Sequence, residues 1–153
     1  MPLTRPSIEF KLILCDAAQT DASTGKIHML GAGWTMVSSP TPPHAIALMI
    51  QVPWDRTNEK LRVHTELLDG DGQPVMLPGP TGPQPLLNET EVEVGRPPGV
   101  AKGSALSAAF ALNVGPLALP SGRYEWRATV EDDVRSEFFQ VRSGVAAPGI
   151  AQP

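Results

Sequence analysis

Residues 123–141 read RYEWRATVEDDVRSEFFQV, and this stretch decides the fold class. From Tyr124 to Val130 apolar residues alternate with polar ones, which is the period of a strand that buries one face. The acidic run Glu131-Asp132-Asp133 supplies a turn, and a second strand-like run follows it to Val141. The stretch therefore predicts an antiparallel hairpin near the end of the folded region.

Several further segments of the sequence also carry strand patterns. Residues 45–52 are apolar except for Gln51 and predict a central strand, while residues 60–68 and 86–94 alternate and predict half-buried strands. The sequence Asp69-Gly70-Asp71-Gly72 is a strong turn signal that predicts a hairpin leading into residues 75–77. The expected fold is all-β, a single antiparallel β-sandwich of about eight or nine strands.

Five further segments need separate interpretation. Residues 7–15 predict the first strand, followed by a polar connection over residues 16–25. Residues 26–37 predict one strand with a bulge at its glycines, and residues 78–85 predict an exposed loop rich in Pro and Gly. The parity of apolar residues from Leu106 to Val114 favours a strand, although the Ala-rich stretch 101–111 leaves a helix as the alternative.

Length and composition predict one domain. A chain of 153 residues can form one hydrophobic core, and its 17 prolines and 14 glycines indicate frequent turns. We expect an N-terminal extension over residues 1–6, the β-sandwich domain over residues 7–142, and a tail over residues 143–153. The tail lacks periodicity, so we expect it to be poorly ordered unless a partner holds it.

Charge and apolar content exclude several classes of partner. The net charge of −4 and the interleaving of Arg56, Lys60 and Arg62 with Glu59 and Glu66 argue against nucleic-acid binding. A single cysteine excludes an intramolecular disulfide bond. No apolar run has the length of a membrane span or of a signal peptide, so we expect cytoplasmic residence and no membrane partner.

Two sequence blocks carry a family resemblance. The first combines Leu14-Cys15-Asp16-Ala17-Ala18 with the run from Gly25-Lys26-Ile27 to Leu30-Gly31-Ala32-Gly33-Trp34, and the second is Pro120-Ser121-Gly122-x-Tyr124-x-Trp126. Together they resemble an uncharacterised bacterial family, mainly actinobacterial, of small all-β proteins with no known activity. The resemblance implies an all-β fold and assigns no catalytic role to any residue.

Metal-binding patterns are weak. The turn at Asp69 resembles the start of a calcium loop, but the Asp or Asn expected at its fifth position is missing. Its twelfth position, where a Glu is expected, is Pro80, so a plain turn is the preferred interpretation. His28, His44 and His64 could join Glu66 or Asp55 in a site with two histidines and one carboxylate, since His64 and Glu66 share a strand face. Their spacing is generic, and we expect no metal and no cofactor.

Catalytic patterns are equally weak. Cys15 is the only thiol nucleophile, and the sequence shows no base beside it, so a buried cysteine is preferred. No Gly-x-Ser-x-Gly elbow occurs, and Gly31-Ala32-Gly33 lacks the rest of a phosphate-binding loop. We expect no catalytic residue and no enzyme, and a hydrolase using Cys15 or a histidine site has the least support.

The leading functional hypothesis is a non-enzymatic protein-binding or self-assembling structural module. Its self-assembling version is a homo-oligomer that forms through strand edges and an apolar tail. Its candidate interaction residues are Trp34, Trp54, Val145 and Ile150. The alternative is a ligand-binding sandwich that takes a carbohydrate or a small apolar molecule on its tryptophan-bearing loops. Trp126 is in phase with Ala128 and Val130 and is predicted to lie in the core.

Overall fold

A computed structural model describes residues 7–142. The predicted extension 1–6 and the predicted tail 143–153, with Val145 and Ile150, lie outside the described residues. Between residues 7 and 142 the chain forms strands and one 3-10 helix, Trp54–Arg56, with no α-helix. The predicted all-β class is therefore confirmed. The strands are β1 (Glu9–Cys15), β2 (Ala17–Asp21), β3 (Lys26–Leu30), β4 (Met36–Ser38), β5 (His44–Val52), β6 (Lys60–Leu68), β7 (Met76–Gly79), β8 (Gly82–Pro85), β9 (Leu87–Glu93), β10 (Leu106–Val114), β11 (Gly122–Val130) and β12 (Asp133–Arg142).

The strands form four sheets rather than the predicted single antiparallel sandwich of eight or nine strands. A three-stranded sheet has the order β1-β5-β10, and a five-stranded sheet has the order β4-β12-β11-β6-β9. Hairpins β2–β3 and β7–β8 are separate, and β4 pairs with β12 in parallel. The prediction was wrong because the expected connection 16–25 supplies β2, which pairs with β3, and the expected loop 78–85 supplies most of the β7–β8 hairpin. Backbone pairing does not require apolar side chains.

The hydrophobic core lies between the two larger sheets. The three-stranded sheet contributes side chains such as Phe10 and Ile50, and the five-stranded sheet contributes Val63, Trp126 and Phe139 to the same cluster. A second, smaller cluster joins Cys15, Ala18, Ala45 and Ala47 and lies where the β2–β3 hairpin packs against β5 and β10. Because both faces of its first half are covered, β5 is apolar almost throughout.

The segment 26–37 is not one bulged strand. It divides into β3 and β4, which belong to different sheets. Gly31 and Gly33 between them have φ values of +64° and +103°, and a Cβ at Gly31 would overlap the Asp16 carboxylate. Glycine at position 31 therefore lets the chain change direction between β3 and β4, so this segment connects two strands and is not a bulge within one strand.

The strands predicted over residues 7–15, 45–52, 60–68 and 86–94 are confirmed. The hairpin predicted at residues 69–72 forms in part, because a Leu68–Pro74 bridge follows the turn but β7 pairs with β8. Leu106–Val114 is strand β10, so the helix alternative was wrong, and the quoted hairpin forms as β11–β12 with Arg127 opposite Ser136. No helix within residues 7–142 is long and apolar enough to cross a membrane.

Candidate functional site

The strands that end the two larger sheets border one cleft. Strand β9 is the last strand of the five-stranded sheet and pairs with β6, while β10 is the last strand of the three-stranded sheet and pairs with β5. A cleft of about 730 Å³ is lined by the end of β9, the start of β10 and the tip of the β2–β3 hairpin. Residues 20–25, 92–97 and 105–109 line it, and we refer to it as the seam cleft.

The β2–β3 hairpin forms one wall of the seam cleft. The Asn113 side chain on β10 donates to the Ala18 carbonyl at 2.9 Å and accepts from the Ala18 amide at 3.3 Å. At the hairpin tip Gly25 has φ of +72°, and it packs so closely that a Cβ would overlap the Ser107 carbonyl oxygen. The hairpin is therefore held against β10 at two places, and its tip stands beside the cleft.

The two ends of the loop over residues 95–105 also line the cleft, and Trp54 anchors this loop. The guanidinium carbon of Arg96 lies 3.7 Å from the centre of the Trp54 ring, and Lys102 Nζ lies 5.8 Å from it. Arg96 also donates to the Trp54 carbonyl at 3.0 Å and to Thr57 Oγ1 at 2.7 Å. Trp54, predicted as an interaction residue, thus contacts its own chain and fixes the loop through cation–π contacts.

The lining of the seam cleft is mixed. Its apolar part comes from side chains such as Val92, Val94 and Leu106, while Asp21 and Glu93 supply carboxylates. Hydrogen bonds from Ser23 and Thr24 lower the pKa of Asp21, so this carboxylate stays ionised near neutral pH. The cleft thus combines the backbone of two edge strands, β9 and β10, with apolar side chains and carboxylates. Such a site can accept an extended chain.

A smaller cavity of about 290 Å³ lies beside Trp54. Its lining includes Glu9, Gln51 and Asp55. Trp54 Nε1 is buried and has no hydrogen-bond partner within the described part of the chain. The cavity therefore has both polar and apolar lining, and one of the residues that border it carries a buried indole donor.

Trp34 and Trp126 lie elsewhere, around the buried His44. The Trp34 ring centre is 4.6 Å from that of His44, and Trp34 Nε1 donates to Asp16 Oδ1 at 2.8 Å. Trp126 is fully buried, which confirms its predicted place in the core. The structure does not bring Trp34 and Trp54 together, so the tryptophans form no common platform.

The histidines are also separated. His28 is exposed on β3, whereas His44 is buried in the core. His64 on β6 has Nε2 at 2.5 Å from Glu66 and Nδ1 at 3.0 Å from Glu89. Glu66 and Glu89 lie at different nitrogens of the His64 ring, so they cannot both bind a metal ion that one of these nitrogens also binds. Across residues 7–142 no group of three His, Cys, Asp or Glu residues is placed to hold a metal ion.

Cys15 is a core residue, as predicted from the sequence. Its Sγ lies 3.4 Å from the Ala17 carbonyl oxygen and 3.7 Å from that of Ala45. Burial raises the pKa of its thiol. The side chain is therefore a protonated, packed thiol at neutral pH.

Sequence reasoning did not identify the residues of the seam cleft. Strand β10 has no charged residue, and β9 has glutamates at alternate positions, but neither pattern reveals that the strand ends a sheet. The fold and the cleft together define an all-β protein with an open seam between two sheets. No protein-family model matches this chain, and no curated protein matches it either.

Proposed function

We propose that this protein is a non-enzymatic protein-binding module that accepts an extended segment of another chain in the seam cleft. The observation that carries the proposal is the placement of two strand edges, those of β9 and β10, at one cleft. An edge strand presents a row of backbone N–H and C=O groups, and an extended segment can pair with them as an additional strand.

The composition of β10 supports this proposal. Its nine residues, LSAAFALNV, include neither a charged residue nor proline. Proteins commonly protect an edge strand with lysine, proline or a bulge, because an unprotected edge pairs with other chains. An edge that lacks these residues is suited to pairing.

Several finer features belong to the same proposal. The shared core of the two larger sheets supports describing the body as a β-sandwich with added hairpins. Self-assembly into a homo-oligomer is the version in which a second copy supplies the added segment. The cytoplasmic setting, the family resemblance, and the contribution of Val145 and Ile150 also remain proposals.

A ligand-binding sandwich is the second candidate, favoured by the 290 Å³ cavity beside Trp54. Stacking of a sugar has less support, because Arg96 already lies on the Trp54 ring and Trp34 packs on His44. A glycan array tests this candidate directly, and binding that is lost in Trp54→Ala would favour it over the protein-binding module.

The leading proposal is tested with a displayed library of random 12-residue peptides. Selected peptides, once synthesised, are expected to slow amide hydrogen exchange in β9 and β10 but not in β1, the opposite edge of the three-stranded sheet. Ser107→Lys adds a charge to the β10 edge and should weaken binding of the peptide. The matched control is Gln140→Lys, which adds the same charge at an exposed position of β12. Exchange protection confined to residues outside the seam would contradict the proposal.

Light scattering over a range of concentrations tests the self-assembling version. A dimer or larger species that Ser107→Lys dissociates and Gln140→Lys preserves would support pairing between copies at β10. A monomer at every concentration would exclude this version and leave binding to a different chain unaffected.

A further inference from the structure

The outward-facing side chains of β9 form an acidic row that begins at Glu93, which lines the seam cleft, and continues along the free strand away from the cleft. Glu89, Glu91 and Glu93 are exposed at alternate positions. Their directly opposed residues on β6 are His64, Arg62 and Lys60, so a basic row lies next to the acidic row inside the sheet. The β6–β9 pair shows which side chains suit a neighbour of β9, because directly opposed residues of opposite charge stabilise a strand pair.

The carboxylates on this row are not all used by the protein itself. Glu89 contacts His64, but within the described part of the chain neither Glu91 nor Glu93 makes an ion pair. Asp21 adds another carboxylate at the hairpin tip. The Arg96 guanidinium, the cation of the cleft lining, already stacks on Trp54. The seam therefore offers negative charge to an incoming segment.

The position of an added strand follows from sheet geometry. A strand on the free edge of β9 would lie about 4.8 Å away, the same spacing at which β6 lies on its other side. Its outward side chains would then oppose the three glutamates as His64, Arg62 and Lys60 do from β6. Its inward side chains would lie on the face of Val92 and Thr90, which are half-buried.

We infer that the partner of the seam is an extended segment of another protein with Lys or Arg at every second position and small or β-branched apolar residues between them. The inference rests on the proposed function and names its partner class. Within residues 7–142 the only strand with three basic side chains at alternate positions is β6, and β9 and β11 occupy both of its edges. A second copy of this chain therefore does not supply the segment from its described strands.

The test uses three fluorescent seven-residue peptides with blocked ends. One alternates Lys and Val, one has the same residues with the lysines grouped, and one alternates Gln and Val. Fluorescence anisotropy gives each Kd at low and high salt, and hydrogen exchange locates the bound peptide. The alternating Lys-Val peptide should bind about tenfold more tightly than either comparison peptide, should protect β9, and should weaken as salt rises.

Two triple variants provide the matched pair. Glu89→Gln, Glu91→Gln and Glu93→Gln together should abolish the preference for the Lys-Val peptide. The control triple variant makes the same change in net charge at exposed positions away from the cleft lining, and it should keep the preference for the Lys-Val peptide. It combines Asp71→Asn, Asp132→Asn and Glu137→Gln. Equal binding of the Lys-Val peptide to both triple variants would overturn the inference.

The peptides also separate the inference from the function on which it rests. Equal protection of the seam edges by the Gln-Val and Lys-Val peptides would overturn the basic-segment inference and leave the protein-binding module standing. If the displayed library and all three peptides fail to protect either edge, both proposals are wrong.

Discussion

The Arg96 guanidinium lies against the Trp54 ring, 3.7 Å from its centre, although the two residues are 42 positions apart. Trp54 belongs to the 3-10 helix that follows β5, and Arg96 belongs to the loop that joins β9 to β10. The contact therefore links the connection between the two edge strands to the body of the protein. Trp54, which the sequence suggests as an interaction residue, thus holds the loop over residues 95–105 in place.

Replacing Trp54 should release this loop. Trp54→Leu removes the aromatic surface under Arg96 and is expected to lower the free energy of unfolding by about 1–3 kcal/mol. Trp54→Phe keeps an aromatic face and should lose less. Urea unfolding measures both, and hydrogen exchange over residues 95–105 should accelerate in Trp54→Leu. Unchanged exchange there would show that Trp54 does not hold the loop.

His44 should make the stability of the protein fall in mild acid. Trp126 Nε1 donates to His44 Nε2 at 3.2 Å, and His44 Nδ1 donates to the Pro42 carbonyl at 3.1 Å, so the folded protein holds one neutral tautomer. Burial lowers the pKa of His44 below its ordinary value of 6.5. The unfolded state therefore binds a proton first as pH falls, and stability is lost progressively below about pH 6.5.

Urea unfolding at pH 7.5 and pH 5.5 measures this effect against His44→Gln. Glutamine cannot take up the proton, so the wild-type protein should lose more stability between the two pH values than the variant does. Comparing the change within each protein removes the cost of the substitution itself and the titration of the other groups. Equal losses in the two proteins would exclude His44 as the source.

Gly25 should be less replaceable than Gly72, although both have positive φ values, +72° and +77°. A Cβ at Gly72 meets no atom within 4 Å, so Gly72→Ala should cost only the backbone strain, about 1–2 kcal/mol. A Cβ at Gly25 overlaps the Ser107 carbonyl, so Gly25→Ala should cost about 1–3 kcal/mol more. Urea unfolding of the two variants checks the difference, and equal costs would refute the close approach.

Asn113 should hold the β2–β3 hairpin on β10. Asn113→Ala removes both hydrogen bonds to Ala18 and is expected to cost about 1–3 kcal/mol. Asn113→Asp keeps an acceptor but loses the amide donor and places a carboxylate beside the Ala18 carbonyl. Hydrogen exchange should therefore accelerate in β2 for both variants, with β6 as the internal reference. Exchange in β2 at the wild-type rate would contradict this role.

The strands that bury one face or both were predictable from the sequence. Burial of side chains produces the alternation in residues 123–141 and 60–68 and the apolar run in residues 45–52. The structure places these segments in β11–β12, β6 and β5. The hairpins β2–β3 and β7–β8 were missed, because their side chains are mostly exposed and form no such pattern. Their pairing comes from backbone hydrogen bonds, which any residue except proline can donate.

The candidate site was less predictable than the fold. The rings of Trp34 and Trp54 contact His44 and Arg96 of their own chain, and the part expected of these two tryptophans in interactions stays a prediction. The residues that line the seam cleft come from three separate segments, and no local pattern relates them. Their meeting depends on how two sheets close around one core.

The amino-acid sequence was enough to establish that this protein is built of strands, where most of the buried strands lie, and that the hairpin of residues 123–141 turns near residue 131. It could do so because burial and turn formation impose a local period and local residue types. Only the tertiary structure decided that β9 and β10 end their sheets and meet at one cleft. A strand in the middle of a sheet and a strand at its edge can have the same alternation, because the neighbour that completes or omits a ladder lies far away in the chain.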